Sequence, residues 1–256
     1  MKFENVLFCS DWDGTLTYQK TINEKDIESI KYFQENGGKF TFCSGRRPEH
    51  FSDVIDRIRP NTYVIGLNGA LIMDVFTGEK LYESFIDSEA LAVCKTLLND
   101  YDCFQNVCVH FDDEGSMILN KDEYNAEYER ILKKNVYKVI AIAKSEEAVN
   151  EAMSAIKSLD LKSIMCSRSW ITGFEFLSKK ATKSVGMKIL AKATGSTKLY
   201  AIGDYENDID MIEEADFGFA VGNAIEAVKA KADKVLCPAW EGAISEAIKE
   251  IESQCK

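Results

Sequence analysis

Two acids one residue apart, Asp11 and Asp13, follow the apolar run Val6-Leu7-Phe8-Cys9 and precede Gly14-Thr15-Leu16. A short uninterrupted apolar run reads as a strand buried on both faces of a parallel sheet. The carboxyl end of such a strand is where open α/β sheets place ligands. Two carboxylates there repel unless a cation or a proton shares the site. The pair therefore points to a hard metal ion or to acid–base chemistry. Asp-x-Asp-Gly is also ordinary turn chemistry, because Asp and Gly both suit turns. A calcium loop of the EF-hand type is excluded. Counted from Asp11, the sixth position is Leu16 where that loop needs Gly, and a strand rather than a helix precedes it.

Three further pieces carry reactive or ligating side chains: Ser44-Gly45-Arg46, Lys183, and Gly203-Asp204-Tyr205-Glu206-Asn207-Asp208. Each alone has a structural reading. Ser44-Gly45 is a turn, Lys183 a solvated helix residue, and Asn207-Asp208 a helix cap. Each also falls at the carboxyl end of an expected strand or at the start of an expected helix. In a parallel sheet those ends share one edge. Three acids, a hydroxyl, an amide-rich turn and a lysine are thereby placed to converge. Mg²⁺ keeps several waters and takes one or two carboxylates beside substrate phosphate, and that inventory is present.

The elements that must position these groups follow from periodicity. A helix is expected over about 23–36, with Asn23 as N-cap, Ile27, Ile30 and Phe33 as its apolar stripe, and Gly37-Gly38 as its stop. A buried strand follows at 39–43, a helix from Pro48 to about 58, and a strand at 63–66 ahead of Asn68-Gly69-Ala70. The pattern then changes. A hairpin fits 71–73 and 80–82, followed by a helix at 88–98 and strands at 106–111 and 116–120. A helix at 122–134, a strand at 137–143, a helix at 146–159 and strands at 162–167 and 173–177 complete this stretch. The first pattern returns with a helix at 183–193 stopped by Gly195, strands at 198–202, 217–221 and 234–237, and a closing helix at 242–252. The expected fold is α/β: a doubly wound, Rossmann-like parallel-sheet core, residues 1–83 and 179–256, with an inserted α+β domain, residues 84–178, on an antiparallel or mixed sheet. Two chain crossings between two compact bodies make hinge closure the expectation.

Composition bounds the rest. The chain has 256 residues, is 46% hydrophobic and 29% charged, and carries a formal charge of −11. Those proportions suit a soluble globular protein, and the charge disfavours nonspecific nucleic-acid or anionic-membrane binding. Eight cysteines show neither Cys-x-x-Cys spacing nor a zinc pattern. With several of them inside apolar runs and no secretory signal, reduced thiols in a cytoplasm are expected. No apolar stretch is long enough to span a bilayer.

The four motifs together resemble the haloacid dehalogenase-like hydrolases, specifically the Cof-like phosphatase branch with a large α/β cap. Asp11-Trp12-Asp13-Gly14-Thr15-Leu16 matches the first family motif, Ser44-Gly45-Arg46 the second, Lys183 the third, and Gly203 to Asp208 the fourth. Asn68-Gly69-Ala70 and Val221-Gly222-Asn223-Ala224 resemble the same branch, as does an insert placed between Asn68 and Lys183. Two residues depart from the pattern: Trp12 is bulkier than the usual aliphatic, and Ser184 replaces the common Gly after the lysine. The resemblance implies a Mg²⁺-dependent phosphatase acting on a small phosphorylated metabolite, with a sugar phosphate the leading class. It implies Asp11 as the nucleophile that becomes an aspartyl phosphate and Asp13 as general acid and base. Asp11, the Asp13 carbonyl and Asp204 would hold Mg²⁺, and Asp208 would orient the ligands. Ser44, Gly45 and Lys183 would hold phosphate oxygens, with Asn207 as a weaker contact, and Arg46 would meet substrate. The expected assembly is a monomer or small homo-oligomer.

Rival classes remain distinguishable. A phosphomutase of the phosphomannomutase-like type shares the fold and would differ in its products. Dehalogenases and phosphonatases of this fold lack the second acid, so Asp13 argues against both. A fold-retaining binding protein would be signalled by loss of Asp11 or Asp204, and both are present. A serine-triad hydrolase lacks its histidine, since only His50 and His110 exist and no Gly-x-Ser-x-Gly occurs. His110 reads as an ordinary strand histidine of the insert.

Overall fold

The computed structural model describes residues 1–51, 55, 57–101, 104–157 and 162–255. In chain order the first elements are β1 (Val6–Ser10), α1 (Glu24–Glu35), β2 (Lys39–Phe42), β3 (Val64–Gly66), β4 (Leu71–Met73) and β5 (Lys80–Glu83). Then come α2 (Ser88–Asp100), β6 (Phe104–Phe111), β7 (Ser116–Leu119), α3 (Lys121–Ile131), β8 (Val136–Ala143), α4 (Glu146–Lys157), β9 (Ile164–Trp170) and β10 (Gly173–Ser178). The chain finishes with α5 (Lys183–Thr194), β11 (Lys198–Gly203), α6 (Ile209–Glu214), β12 (Phe217–Ala220), α7 (Glu226–Lys229), β13 (Lys234–Val235) and α8 (Ala243–Gln254). It divides into two compact units, Met1–Tyr82 with Thr182–Lys256, and Glu83–Ala181.

The first unit is built on a five-stranded parallel sheet in the order β13-β12-β11-β1-β2. β1 is buried along its whole length, as its apolar run requires. Val6 and Phe8 face a cluster that includes Ile30 and Phe33 of α1 and Ile248 and Ile251 of α8. Leu7 and Cys9 face the opposite cluster with Met187 and Leu190 of α5. Each fully buried Phe or Leu of this kind contributes about 1.5–3 kcal/mol. α1 starts where Asn23 accepts the Lys25 N–H. From β1 the chain moves to β2 on one side, and it later builds β11, β12 and β13 on the other. The strand order therefore reverses between β1 and β11, which is where such a sheet opens a crevice at its carboxyl edge.

Two local expectations change. β3 joins β2 through a single parallel bridge, Cys43 to Ile65, and pairs antiparallel with β4 in a separate β3-β4-β5 sheet. The antiparallel pairing follows from the turn between β3 and β4, where Leu67, Asn68 and Gly69 all have positive φ and fold the chain straight back. The helix expected from Pro48 is a 3₁₀ turn over Pro48–Phe51; most of the rest of that expectation lies outside the described residues.

The second unit is a five-stranded sheet in the order β7-β6-β8-β10-β9, antiparallel throughout. α2, α3 and α4 cover one face around Leu91, Tyr124, Val139, Val149 and Phe176. The capping box of Asn120 and Glu123 starts α3. On the other face Lys138 and Glu175 form a buried ion pair at 3.0 Å. His110 accepts or donates to Ser116 Oγ at 2.8 Å within the same sheet. At its start the Tyr137 hydroxyl donates to the Glu83 carboxylate. At its end the Lys179 N–H donates to the Ser163 carbonyl and the Ala181 N–H to that of Ser178.

Candidate active site

Asp11 is the first residue past β1. Its N–H donates to the Ile202 carbonyl of β11 at 3.0 Å. This bond extends the ladder one step and places the side chain where the strand order reverses. Lys183 opens α5, whose N-cap Thr182 accepts the Val185 N–H. The lysine is buried, and its Nζ donates to Asp11 Oδ1 at 2.6 Å and Asp208 Oδ1 at 2.5 Å. The other oxygen of Asp208 accepts the N–H groups of Asp204 and Tyr205 at 2.9 and 3.0 Å. Asp208 thus fixes the turn that follows β11. Asp204 Oδ1 accepts the Thr15 hydroxyl at 2.7 Å. One oxygen from each of Asp11, Asp204 and Asp208 lies within 4.8 Å of the others.

Three carboxylates against one ammonium leave this cluster short of positive charge. Burial pushes the Asp11 carboxyl well above the ordinary range, against the pull of Lys183 and with the push of Asp208 and Asp204. Burial, with Asp208 behind it, pushes Asp204 up to about 7. For Lys183 burial works against the charge, but Asp11 and Asp208 outweigh it and hold the ammonium protonated. An all-oxygen donor set that crowded and that buried fits a hard divalent cation such as Mg²⁺.

Asp13 stands apart from the cluster. Its carboxylate is half-exposed and accepts both arms of Arg46, Nε to Oδ2 and Nη2 to Oδ1, each at 2.6 Å. Ser44 sits at the end of β2 beside Asp11, since the Cys43 N–H donates to Ser10 and ties the two strand ends together. Its hydroxyl accepts the Arg46 N–H at 3.2 Å. Asn207 donates to the Asn68 side chain at 3.1 Å. Lys183 is buried among acids, while Lys179 and Lys180, four and three residues before it in the chain, are exposed.

Three framework residues carried no role in the sequence reading. Asn68 links the Ser44 turn to Asn207, accepting from Asn207 and donating its own N–H to the Ser44 carbonyl at 2.9 Å. In the sequence it is marked only as the first residue of Asn68-Gly69-Ala70, and a Cβ at Gly69 would meet the Thr182 carbonyl at 2.1 Å. Thr15 holds Asp204, and Asn223 donates to the Gly14 carbonyl at 2.8 Å. Gly14 has φ +88°, and a Cβ there would reach within 2.4 Å of Asp204 Oδ2. A side chain at position 14 would crowd the Asp204 carboxylate where the first and fourth motifs meet.

The family model of the haloacid dehalogenase-like hydrolases matches residues 8–248. The chain belongs to this family. Within these hydrolases it falls in the Cof-like branch. A Haemophilus influenzae protein named only as a candidate phosphatase is 27% identical over 88% of this chain and 90% of its own. The 5-amino-6-(5-phospho-D-ribitylamino)uracil phosphatase YitU of Bacillus subtilis is 24% identical over 98% of both chains. The solved structure of a subclass IIB sugar phosphatase superposes with a TM-score of 0.79 at 24% identity, covering 96% of this chain and 98% of that one. That likeness shows the fold, a parallel-sheet hydrolase core with an inserted α+β domain.

Proposed function

We propose that this hydrolase is a Mg²⁺-dependent phosphatase of a small phosphorylated metabolite, with a sugar phosphate as the leading class, working through an aspartyl phosphate on Asp11. The observation that carries the reading is the Asp11 carboxylate at the strand-order reversal, held by a buried lysine inside a cluster of three acids. The curated relatives named as phosphatases and the sugar phosphatase fold neighbour support it.

Lys183 fixes one Asp11 oxygen and so orients the carboxylate as a nucleophile. In the first half-reaction an Asp11 oxygen forms a bond to phosphorus and the bond to the leaving oxygen breaks. Asp13 supplies the proton that this oxygen takes up. In the second half-reaction Asp13 takes a proton from water, whose oxygen attacks phosphorus, and the Asp11–phosphorus linkage breaks to return the carboxylate and free phosphate. The Ser44 hydroxyl, the Gly45 N–H and the Lys183 ammonium hold the nonbridging oxygens, and Asn207 adds a weaker contact through the position that Asn68 gives it. Asp11, the Asp13 carbonyl and Asp204 would hold the Mg²⁺, whose charge when bound offsets that of the phosphoryl oxygens. Asp208 keeps the Asp204 turn and Lys183 in place. The second unit is assigned the role of a cap that reads the remainder of the substrate.

The test is hydrolysis of nitrophenyl phosphate and a panel of phosphorylated metabolites by purified protein. Turnover should stop with chelator and return with Mg²⁺. Asp11→Asn should abolish it, and full activity of that variant would sink the covalent route.

A further inference from the structure

The first unit holds a cavity of about 750 Å³ lined by residues of the first motif, the hairpin after it and the Arg46 turn. Its charged lining is Asp13, Lys20 and Arg46, with His50, Tyr18 and Gln19 as polar neighbours. Asp13 is the sole acid among them, and both of its oxygens are taken by Arg46. Lys20 has no ion pair among the described residues. In a chain of net charge −11 this wall is locally cationic.

The hairpin that carries Lys20 is a built feature. Tyr18 and Thr21 exchange both backbone hydrogen bonds at 3.0 Å, which leaves a two-residue turn. Its central residues Gln19 and Lys20 have φ of 50° and 63°. Such turns favour Asn-Gly, because both positions need the left-handed region. Residues with long side chains held there bear a conformational cost, and such costs gather at ligand sites. The Tyr18 ring, 4.5 Å from the Trp240 ring, anchors the hairpin.

Asp13 faces this cavity, and under the phosphatase reading above it must deliver a proton to the leaving oxygen. The leaving oxygen therefore stands at the Asp13 wall of this cavity when the bond breaks. With the Arg46 fork on both of its oxygens, the Asp13 carboxylate is turned to the guanidinium rather than to a leaving oxygen. An anion on the leaving group resolves the conflict by giving Arg46 another partner. We propose that the cavity seats the leaving group and that Lys20 and Arg46 bind a second anionic group on it, a carboxylate or a second phosphate, which draws Arg46 off Asp13. The substrate class is then a phosphomonoester with a second anion, and neutral polyol phosphates are slow substrates of the same site.

The experiment compares matched pairs: phosphoglycerate against glycerol phosphate, and hexose bisphosphate against hexose monophosphate, with nitrophenyl phosphate as reference. The ratio of kcat/KM, charged over neutral, should exceed about tenfold in at least one pair, because a charge-assisted hydrogen bond is worth roughly that or more. The pair that shows it identifies carboxylate or phosphate as the second anion. Lys20→Ala and Lys20→Glu should lower that ratio, the second more strongly. Lys31→Ala, an exposed lysine of α1, should leave it unchanged. Ratios near one in both pairs, or a ratio indifferent to Lys20→Glu, overturn the proposal while hydrolysis of nitrophenyl phosphate leaves the phosphatase reading standing. Failure of the wild type to hydrolyse any phosphomonoester with Mg²⁺ overturns both.

Discussion

At the residue scale the two acids of the first motif have opposite surroundings. Asp11 is buried against a lysine and two acids, while Asp13 is half-exposed on an arginine. The roles should separate by leaving group. A sugar alkoxide leaves badly and needs a proton, whereas nitrophenolate leaves well without one. General acid assistance is worth ~10²–10⁴-fold. Asp13→Asn should therefore slow single-turnover release from a sugar phosphate far more than release from nitrophenyl phosphate. Equal losses would contradict Asp13 as the acid. Lys183 is the second test. Removing one partner from a buried charge cluster costs about 3–5 kcal/mol. Lys183→Met should lose stability of that order in urea at neutral pH with chelator present. Acid should shrink the deficit, since protonated carboxylates no longer need the ammonium. Unchanged stability at neutral pH would mean that the lysine does not balance the cluster.

At the scale of elements, α1 and α8 meet over a buried acid. Asp26 sits in the first turn of α1, and its Oδ1 accepts the Ser245 N–H of α8 at 2.7 Å. Burial pushes its carboxyl up from 3.8 to about 6, and the N–H groups of Ser245 and Ile244 oppose this only in part. The folded state thus binds the proton more tightly than the unfolded chain. The contribution of Asp26 is most favourable below the unfolded pKa and declines as pH rises through about 6, by something on the order of 3 kcal/mol. Asp26→Asn removes that decline. Its stability relative to wild type should rise between mildly acidic and neutral pH in thermal melts. Parallel pH profiles would assign the titration elsewhere. The β3–β4 turn is the other sensitive element. Gly69→Ala places a methyl against the Thr182 carbonyl at the mouth of α5 and forces a positive φ on alanine. It should disturb Lys183 and Asn68 together, lowering turnover as well as melting temperature.

At the scale of the whole molecule, the two units each have their own sheet and their own apolar cluster. Among the described residues of the Glu83–Ala181 unit, β6 to β10 pair with one another, and α2, α3 and α4 cover one face of their sheet. A fragment of residues 83–181 should therefore fold alone and unfold cooperatively in urea with dispersed amide resonances. A collapsed fragment without a cooperative transition would show that its sheet needs the rest of the chain. Among the described residues no helix is long and apolar enough to cross a membrane.

Much of this arrangement was legible locally. β1 is read from four apolar residues because both of its faces are buried, and α1 and α5 are read from Asn23, Gly37 and Gly195 because caps are local chemistry. Motifs at strand ends could be gathered to one edge because a parallel sheet points those ends the same way. The pairings within that edge were decided by tertiary structure. Lys183 reads alone as a solvated helix residue, and only the packing of α5 on the sheet buries it 172 residues from Asp11 in sequence. Arg46 could have turned to solvent, but the adjacency of β2 and β1 gives it Asp13. Asn68 meets Asn207 across 139 residues because the β3–β4 turn leaves the parallel sheet. Periodicity and capping act within a few residues, so they determine the elements. Which side chain answers which charge depends on strand order and burial, which exist only once the chain has folded.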